Sequence, residues 1–182
     1  GAQLVDSKES FSADLILKVR APDASELAQI KSGTVLAGML DPFDAAGLEA
    51  LAAAGITAFA LEAAPRITRA QSLDVLSSQA NLAGYKAVLL GAHYYGRIFP
   101  MMMTAAGTIT AARAFIMGVG VAGLQAIATA RRLGAQVSAT DVRSATKEQI
   151  QSLGAKPIFV ESVAGIEGEG TGGYATEMSE EY

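Results

Sequence analysis

Between Arg113 and Asp141 the chain carries one supersecondary unit almost entire, and no other stretch restricts the fold as far. Arg113-Ala114-Phe115-Ile116-Met117 reads as a buried strand running into Gly118-Val119-Gly120-Val121-Ala122-Gly123. A helical run from Leu124 to Leu133 follows, and a second strand, Gln136 to Asp141, ends on an acid. A lone Gly-x-Gly-x-x-Gly is weak evidence, but here a strand precedes it, a helix follows, and an acid stands about 20 residues on. Gly118 would permit the tight turn, Gly120 would let backbone N–H groups approach a pyrophosphate, and Gly123 would let helix and strand pack closely. The helix N-terminus supplies unpaired donors and a positive dipole end for phosphates. Asp141 suits a ribose 2′-OH and would repel a 2′-phosphate, which favours NAD(H) over NADP(H). Arg143 tempers that preference, because a guanidinium there suits a 2′-phosphate. A glycine-rich turn without a ligand is the bland alternative.

At 182 residues the chain has room for one domain or two small ones. Apolar residues make up 51%, so a sizeable core is possible, with alanine favouring close-packed helices. A net charge of −4 without any basic patch gives nucleic-acid binding no electrostatic support. The absence of cysteine excludes disulfides and thiol chemistry. The longest uncharged run, Ala114 to Ala130, is interrupted by Gly118, Gly120 and Gly123, and reads as strand plus helix rather than a membrane span. No signal peptide is visible. The ends read as cut: Gly1-Ala2-Gln3 lacks an initiator Met, and Glu180-Glu181-Tyr182 comes soon after a third strand. A doubly wound fold needs more strands after Gly118 than follow, so a fragment with an unpaired sheet edge and marginal stability is expected.

In the first half, Leu15 to Arg20, Gly33 to Leu40 and Thr57 to Leu61 read as strands, with a short helix over Ser25 to Lys31. Asp41-Pro42-x-Asp44 predicts a helix start, with Asp41 as N-cap and Pro42 at the first helical position, running to Ala54 and stopping at Gly55. A cap explains this acid pair; a metal site has no supporting ligands. A long helix is expected from about Gln71 to Tyr95, its apolar face formed by Leu73, Leu76, Ala80, Ala83, Ala87 and Leu90. The Met101 to Met103 run reads as core or interdomain packing. Helix Ala145 to Leu153 and strand Lys156 to Val160 close the second half. The tail, Gly165 to Gly173, is Gly-rich and reads as mobile, Gly170 to Gly173 reads as a linker rather than a lid near the nucleotide, and Tyr174 to Tyr182 could begin another helix. The fold class is α/β in two domains, residues 1–104 and 105–182, a Rossmann dinucleotide-binding part following an α/β part with a parallel sheet.

On the long helix, Gln71, Asp74, Ser77, Ser78 and Asn81 would share the face opposite the apolar stripe, with Arg66 and Arg69 just before it. Amides, hydroxyls and a single acid suit a polar, mostly neutral ligand such as a carboxamide. An ordinary exposed polar face is about as good an explanation.

Three long blocks and one short one carry a resemblance over nearly the whole chain. They are Pro65 to Tyr85 (Pro-Arg-Ile-x-Arg-Ala-Gln-Ser-Leu-Asp-Val-Leu-Ser-Ser-Gln-Ala-Asn-Leu-Ala-Gly-Tyr), Pro100 to Thr108, Gly118 to Arg143, and Gly172-Gly173-Tyr174-Ala175-x-Glu177-Met178. The chain resembles the alpha subunit of proton-translocating NAD(P) transhydrogenase, in the alanine dehydrogenase/transhydrogenase family. The resemblance implies two domains flanking a cleft, a flavodoxin-like N-terminal part and a Rossmann part, both incomplete here. It implies NAD(H) as cofactor, nicotinamide held by Arg66, Gln71, Asp74 and Ser77, and the adenosine half met by Gly118, Val119, Gly120, Val121 and Ala122 and by Asp141, Val142 and Arg143. Gly123 and Gly173 join the cofactor-binding set. The implied partners are NADP(H)-binding and membrane-spanning transhydrogenase components, with a homodimer at full length. The implied place is the cytoplasmic side of a bacterial inner membrane, held there by the partner without direct insertion.

The resemblance also implies hydride passing directly from NADH to NADP⁺ on the partner. That step moves no proton to or from a substrate, so it requires no general acid or base, and no catalytic residue is assigned. In related alanine dehydrogenases a His beside the substrate carbonyl does proton work; Val35 to Asp41 here contains none. Lys18 matches a substrate-binding Lys of those enzymes and is read as a cleft-lining relic or a plain surface Lys. His93, the single histidine, is read as a helix-end residue. The rival readings are an alanine-dehydrogenase-like oxidoreductase and a non-catalytic NAD-binding module.

Overall fold

The computed structural model describes residues 1–65, 67–159, 168, 170 and 175–178. By its contacts the chain divides into two compact units, Gly1–Leu76 and Ser77–Tyr182.

The first unit opens with α1 (Ser7–Ser10), capped by the Asp6 carboxylate on the Glu9 N–H at 2.8 Å. It continues through β1 (Leu15–Arg20), α2 (Ala24–Leu27), β2 (Val35–Met39), α3 (Ala45–Ala53) and β3 (Thr57–Ala60). Two short 3-10 turns, Leu61–Ala63 and Thr68–Leu73, end it. The three strands pair in parallel in the order β1-β2-β3, with Leu36 opposite Ile16 on one side and Ala58 on the other. Ile16, Leu36, Leu40, Leu51 and Ile56 bury together, with Phe11 and Ile30 closing the ends. Successive side chains of a strand point to opposite faces. The alternate residues Leu15, Leu17, Val19 and Phe59 are accordingly exposed.

Two local expectations fail in this unit. The helix read over Ser25 to Lys31 is a single turn, because the chain tightens after Leu27 into three-residue bonds (Gln29 N–H to Glu26 O, 3.0 Å; Ile30 N–H to Leu27 O, 3.1 Å) that bring Ile30 into the core. Asp41 is not the N-cap of α3. It sits at φ 52°, its N–H donates to Glu62 Oε1 at 2.7 Å, and the helix begins at Ala45, with Asp44 as its N-cap. An acid tolerates the left-handed region better than most residues, which lets Asp41 make the turn.

The second unit contains nearly all of α4 (Val75–Tyr94), then β4 (Met102–Thr104), β5 (Gly107–Ile109), β6 (Arg113–Met117), α5 (Val121–Arg132), β7 (Gln136–Thr140), α6 (Thr146–Ser152) and β8 (Lys156–Pro157). Its larger sheet is parallel, ordered β6-β7-β8. Val119, Ala126, Ile127, Ala130, Val137, Ala139 and Ile150 form the core, joined by Val88 of α4.

α4 corrects the expected helix twice. It begins at Val75, not Gln71, since Thr68–Leu73 is a 3-10 turn. Its inward side is Gly84 and Val88, with Ser77, Ala80 and Ala92 half-buried, whereas Leu73, Leu76, Ala83, Ala87 and Leu90 are exposed. The cause is steric. A Cβ on Gly84 would overlap the Ala122 carbonyl, so the helix approaches by its smallest residue rather than its widest apolar stripe.

The Met run is not core. Met102 and Met103 belong to an unforeseen antiparallel hairpin, with Met102 opposite Ile109, and both are exposed, as is Met101. The expected strand to Val160 is described only through Pro157, Val160 itself lying outside the described residues. Of the glycine-rich tail, Gly168 is buried, its N–H donating to Val142 O at 3.2 Å, so at that residue the tail is tied down rather than a mobile linker. The helix suggested beyond Tyr174 lies mostly outside the described residues, and Ala175–Met178 are not helical. Among the described residues, no helix is long and apolar enough to cross a membrane.

Candidate functional site

The turn between β6 and α5 is built by backbone. Gly118 takes φ +89°, a conformation L side chains rarely adopt, and its N–H donates to Thr140 O at 2.9 Å. Val119 turns inward and is fully buried. Gly120 is the N-cap of α5 and brings no side-chain acceptor, while the Leu124 N–H closes the first helical turn on Gly120 O at 2.9 Å. A helix start without a side-chain cap leaves donors that an external acceptor can satisfy. A Cβ on Gly120 would meet nothing within 4 Å among the described residues, which leave the space before the helix open. A Cβ on Gly123 would overlap the Gly118 carbonyl, so the third glycine is demanded by packing. Arg131 and Arg132 in the last turn match the negative end of the helix dipole.

Asp141 follows the last residue of β7 and lies beside this turn. Its side chain is only 4% exposed. Oδ2 accepts the Val119 N–H at 2.6 Å and Arg143 Nη2 at 2.9 Å. Oδ1 accepts the Arg143 N–H at 2.9 Å and Nε at 2.8 Å. Burial alone would raise the carboxyl's pKa. The Arg143 side chain, the Val119 N–H and the Arg143 N–H outweigh burial and hold it at about 2. Arg143, expected as a candidate partner for a 2′-phosphate, thus pairs with Asp141. Val142 between them is half-buried and receives Gly168 on its carbonyl. Gly173 lies outside the described residues.

The polar constellation is arranged differently from the expected single helix face. Gln71 is exposed in the 3-10 turn, and its carbonyl accepts the Asp74 N–H at 3.2 Å. Asp74 directly precedes α4, half-buried, and Ser77 lies half-buried in the first turn of that helix. Asp74 and Ser77 both make polar interactions within the chain, as does Ser78. Asn81 is exposed one turn further on, and Arg66 lies outside the described residues. Within the first unit, Gln71 and Asp74 thus share the 3-10 turn and its C-terminal end.

Two groups were not legible in the sequence. Glu62 spans from the end of β3 to the end of β2, with Oε1 on the Asp41 N–H and a buried Oε2 that has no partner among the described residues. Gly84 admits the α5 N-terminus, and only its small size inside a helical run could have signalled this. Lys18 pairs with Glu26 at 2.9 Å, each about a quarter exposed. The Lys18 hydrogen bond, helped by the Asp23 N–H, lowers the Glu26 carboxyl's pKa. His93 is exposed at the end of α4, edge-on to Tyr94 at 4.9 Å. Among the described residues no group of acids or histidines could hold a metal.

The sequence matches the family described as alanine dehydrogenase/PNT, N-terminal domain, over residues 1–83 and C-terminal domain over residues 87–179. It is 56% identical over 176 residues to an NAD(P) transhydrogenase alpha subunit of Rhodospirillum rubrum, an alignment covering 93% of this chain and 46% of that protein. The alanine dehydrogenase of Mycobacterium tuberculosis is 30% identical over 148 residues, 78% of this chain and 39% of that enzyme. Among solved structures, the transhydrogenase from Sinorhizobium meliloti superposes with a TM-score of 0.82 at 62% identity, over 85% of this chain and 45% of that one. The chain thus spans about half the length of the relatives it matches. With both domain patterns present in order and a Rossmann turn of the expected geometry, the chain belongs to the alanine dehydrogenase/PNT family.

Proposed function

We propose that this chain belongs to the NAD(H)-binding component of a proton-translocating NAD(P) transhydrogenase. In this reading Gly118, Val119, Gly120, Val121, Ala122 and Gly123, with Asp141, Val142 and Arg143, receive the adenosine half of NAD(H). Arg66, Gln71, Asp74 and Ser77 hold the nicotinamide half, and Gly173 lies against the nucleotide. The observation that carries the reading is the start of α5: a cap without a side chain, open space before it, and an ionised carboxylate on the neighbouring strand end. Phosphate oxygens suit those backbone donors, and the donor set fits a dinucleotide.

The nicotinamide supplies the hydride, which passes to NADP⁺ held by a partner component. What the chain supplies is position. Gln71 offers an amide with both donors and acceptors, suited to turning a carboxamide. Asp74 and Ser77 add a carboxylate and a hydroxyl to the same proposed set. Neither a general acid nor a general base is needed, and none is assigned. Lys18 is engaged by Glu26, and Val35–Met39 contains no histidine, so the observations do not favour small-substrate dehydrogenation as in alanine dehydrogenase. The assembly we propose is a homodimer at full length, bound to NADP(H)-binding and membrane-spanning components on the cytoplasmic side of a bacterial inner membrane.

Recombining the full-length component with an NADP-binding partner tests this reading. We expect NADH-dependent reduction of an NADP⁺ analogue, tighter fluorescence titration with NADH than with NADPH, and no pyruvate from alanine and NAD⁺. Pyruvate formation, or equal affinity for the two nucleotides, would overturn it.

A further inference from the structure

A glycine inside a helix destabilises it relative to alanine, so its presence asks for a cause outside the helix. α4 carries two, Gly84 and Gly91. A Cβ on Gly91 would meet nothing within 4 Å among the described residues. A Cβ on Gly84 would overlap the Ala122 carbonyl oxygen and stand 2.8 Å from its carbon and 3.0 Å from the Ala122 Cα. All three are backbone atoms, so no side-chain rotation relieves the contact. Ala122 is the second residue of α5, in the turn whose amides are proposed for the diphosphate. The other flank of that turn is as tight. A Cβ on Gly123 would overlap the Gly118 carbonyl oxygen and lie 2.9 Å from its carbon. The first turn of α5 is therefore wedged between two backbones, and a methyl at position 84 must displace α4 rather than α5. Ser77 rides on α4 seven residues before Gly84. At 3.6 residues per turn the two fall on nearly the same side of the helix, about 10 Å apart along its axis. Gly84 and Val88 are buried on that side and Ser77 is half-buried.

We propose that Gly84 is a positioning residue for the dinucleotide. By seating α4 on the first turn of α5, it sets the distance between the diphosphate donors and Ser77 at the nicotinamide end. The inference rests on the proposed reading of the site and adds to it a residue that acts only through α4. A ligand that ends at the diphosphate is indifferent to this spacing. A ligand that must reach both ends is not.

The test uses the full-length component, with ADP and NADH as binding probes and hydride transfer to an NADP⁺ analogue on the NADP-binding partner. Gly84→Ala should leave ADP affinity as it is, remove part of the advantage NADH has over ADP, and slow hydride transfer on the order of 10²-fold, the cost of about a 1 Å misplacement. Gly91→Ala makes the same change on the same helix in open space and should alter none of the three. Equal weakening of ADP and NADH by Gly84→Ala would overturn the proposal, because the glycine would then only support the turn. Unchanged NADH binding and transfer would overturn it as well. A measurement on the unaltered protein guards against a variant that fails to fold. The Gly84 and Val88 amide resonances should move further with saturating NADH than with saturating ADP, since only NADH engages the Ser77 end of α4; identical shifts overturn the proposal. If the unaltered component binds neither ADP nor NADH, the nucleotide reading itself falls and takes this proposal with it.

Discussion

The two units share a plan and differ in one corner. Each has three parallel strands in consecutive order, with a helix leaving the end of one strand and returning to the next. In the first unit the corner between β2 and α3 is filled by the protein's own acids. Asp41 makes the turn at φ 52°, Asp44 stands at the N-cap, and Glu62 reaches across to the Asp41 N–H. In the second unit the corner between β6 and α5 has glycine at both places, and its acid, Asp141, is set back on the neighbouring strand. Carboxylates beside a helix start repel a phosphate; bare amides attract one. Parallel strands alone thus do not make a nucleotide site, and function belongs to the side chains placed at the turn.

The largest effect should come from closing the open corner. Gly120→Val in the full-length component should weaken NADH binding by at least about 100-fold, near 2.7 kcal/mol, with the melting temperature almost unchanged because a Cβ there meets no atom of the described residues within 4 Å. Emptying the first corner by Asp41→Gly with Asp44→Gly should create no measurable ADP binding there. An ADP site appearing would show that the two acids alone keep the first corner closed.

Next is the packing behind the open corner. Gly84→Leu should destabilise the second unit by about 2–4 kcal/mol in denaturant unfolding, since even a Cβ overlaps the Ala122 carbonyl. A loss below about 0.5 kcal/mol would mean the backbones separate cheaply.

The acid of the second unit should also make its stability depend on pH. The pKa of Asp141 is about 2 when folded against an ordinary value of 3.8, so its contribution is complete above about pH 4 and is lost as pH falls toward 2. Asp141→Asn should flatten that acid limb by up to about 2 kcal/mol, and an unchanged limb would show that other carboxylates carry it. The smallest effect belongs to the first corner. Asp41→Gly should stabilise by about 0.5 kcal/mol through relief of the positive φ, whereas Asp41→Val should destabilise by about 1–2 kcal/mol. A stable valine variant would show that the turn readily takes another shape.

What the sequence made legible follows from how local each cause is. The strand, glycine turn and helix of the second unit are encoded by consecutive residues and stand where the pattern places them, but the strand expected to be buried leaves Phe115 and Met117 exposed. Asp141 was legible as an acid at a strand end, but not as a carboxylate paired with Arg143, because that depends on how a long side chain folds back. The start of α3 was misplaced because Asp41-Pro42-x-Asp44 is a good local cap, and Glu62, 21 residues later, draws the Asp41 N–H elsewhere. The α4 stripe was misread for a related reason. Periodicity identifies which residues could bury, and the partner's shape decides which do. Here the partner is the backbone of Ala122, which admits Gly84 and leaves the leucines outside.

Gly84 changes what should count as the fingerprint. Any search for Gly-x-Gly-x-x-Gly reads a contiguous string, yet the helix that string begins is seated against a fourth glycine carried 34 positions before Gly118 on another helix. A designer transplanting Gly118–Gly123 into a new scaffold would inherit the turn without its seat, and a bulkier residue at the facing position would displace the helix start. Homologues that have lost the upstream glycine would then be expected to show compensating change around Ala122, which makes the pair a place to look for covariation rather than for motif identity.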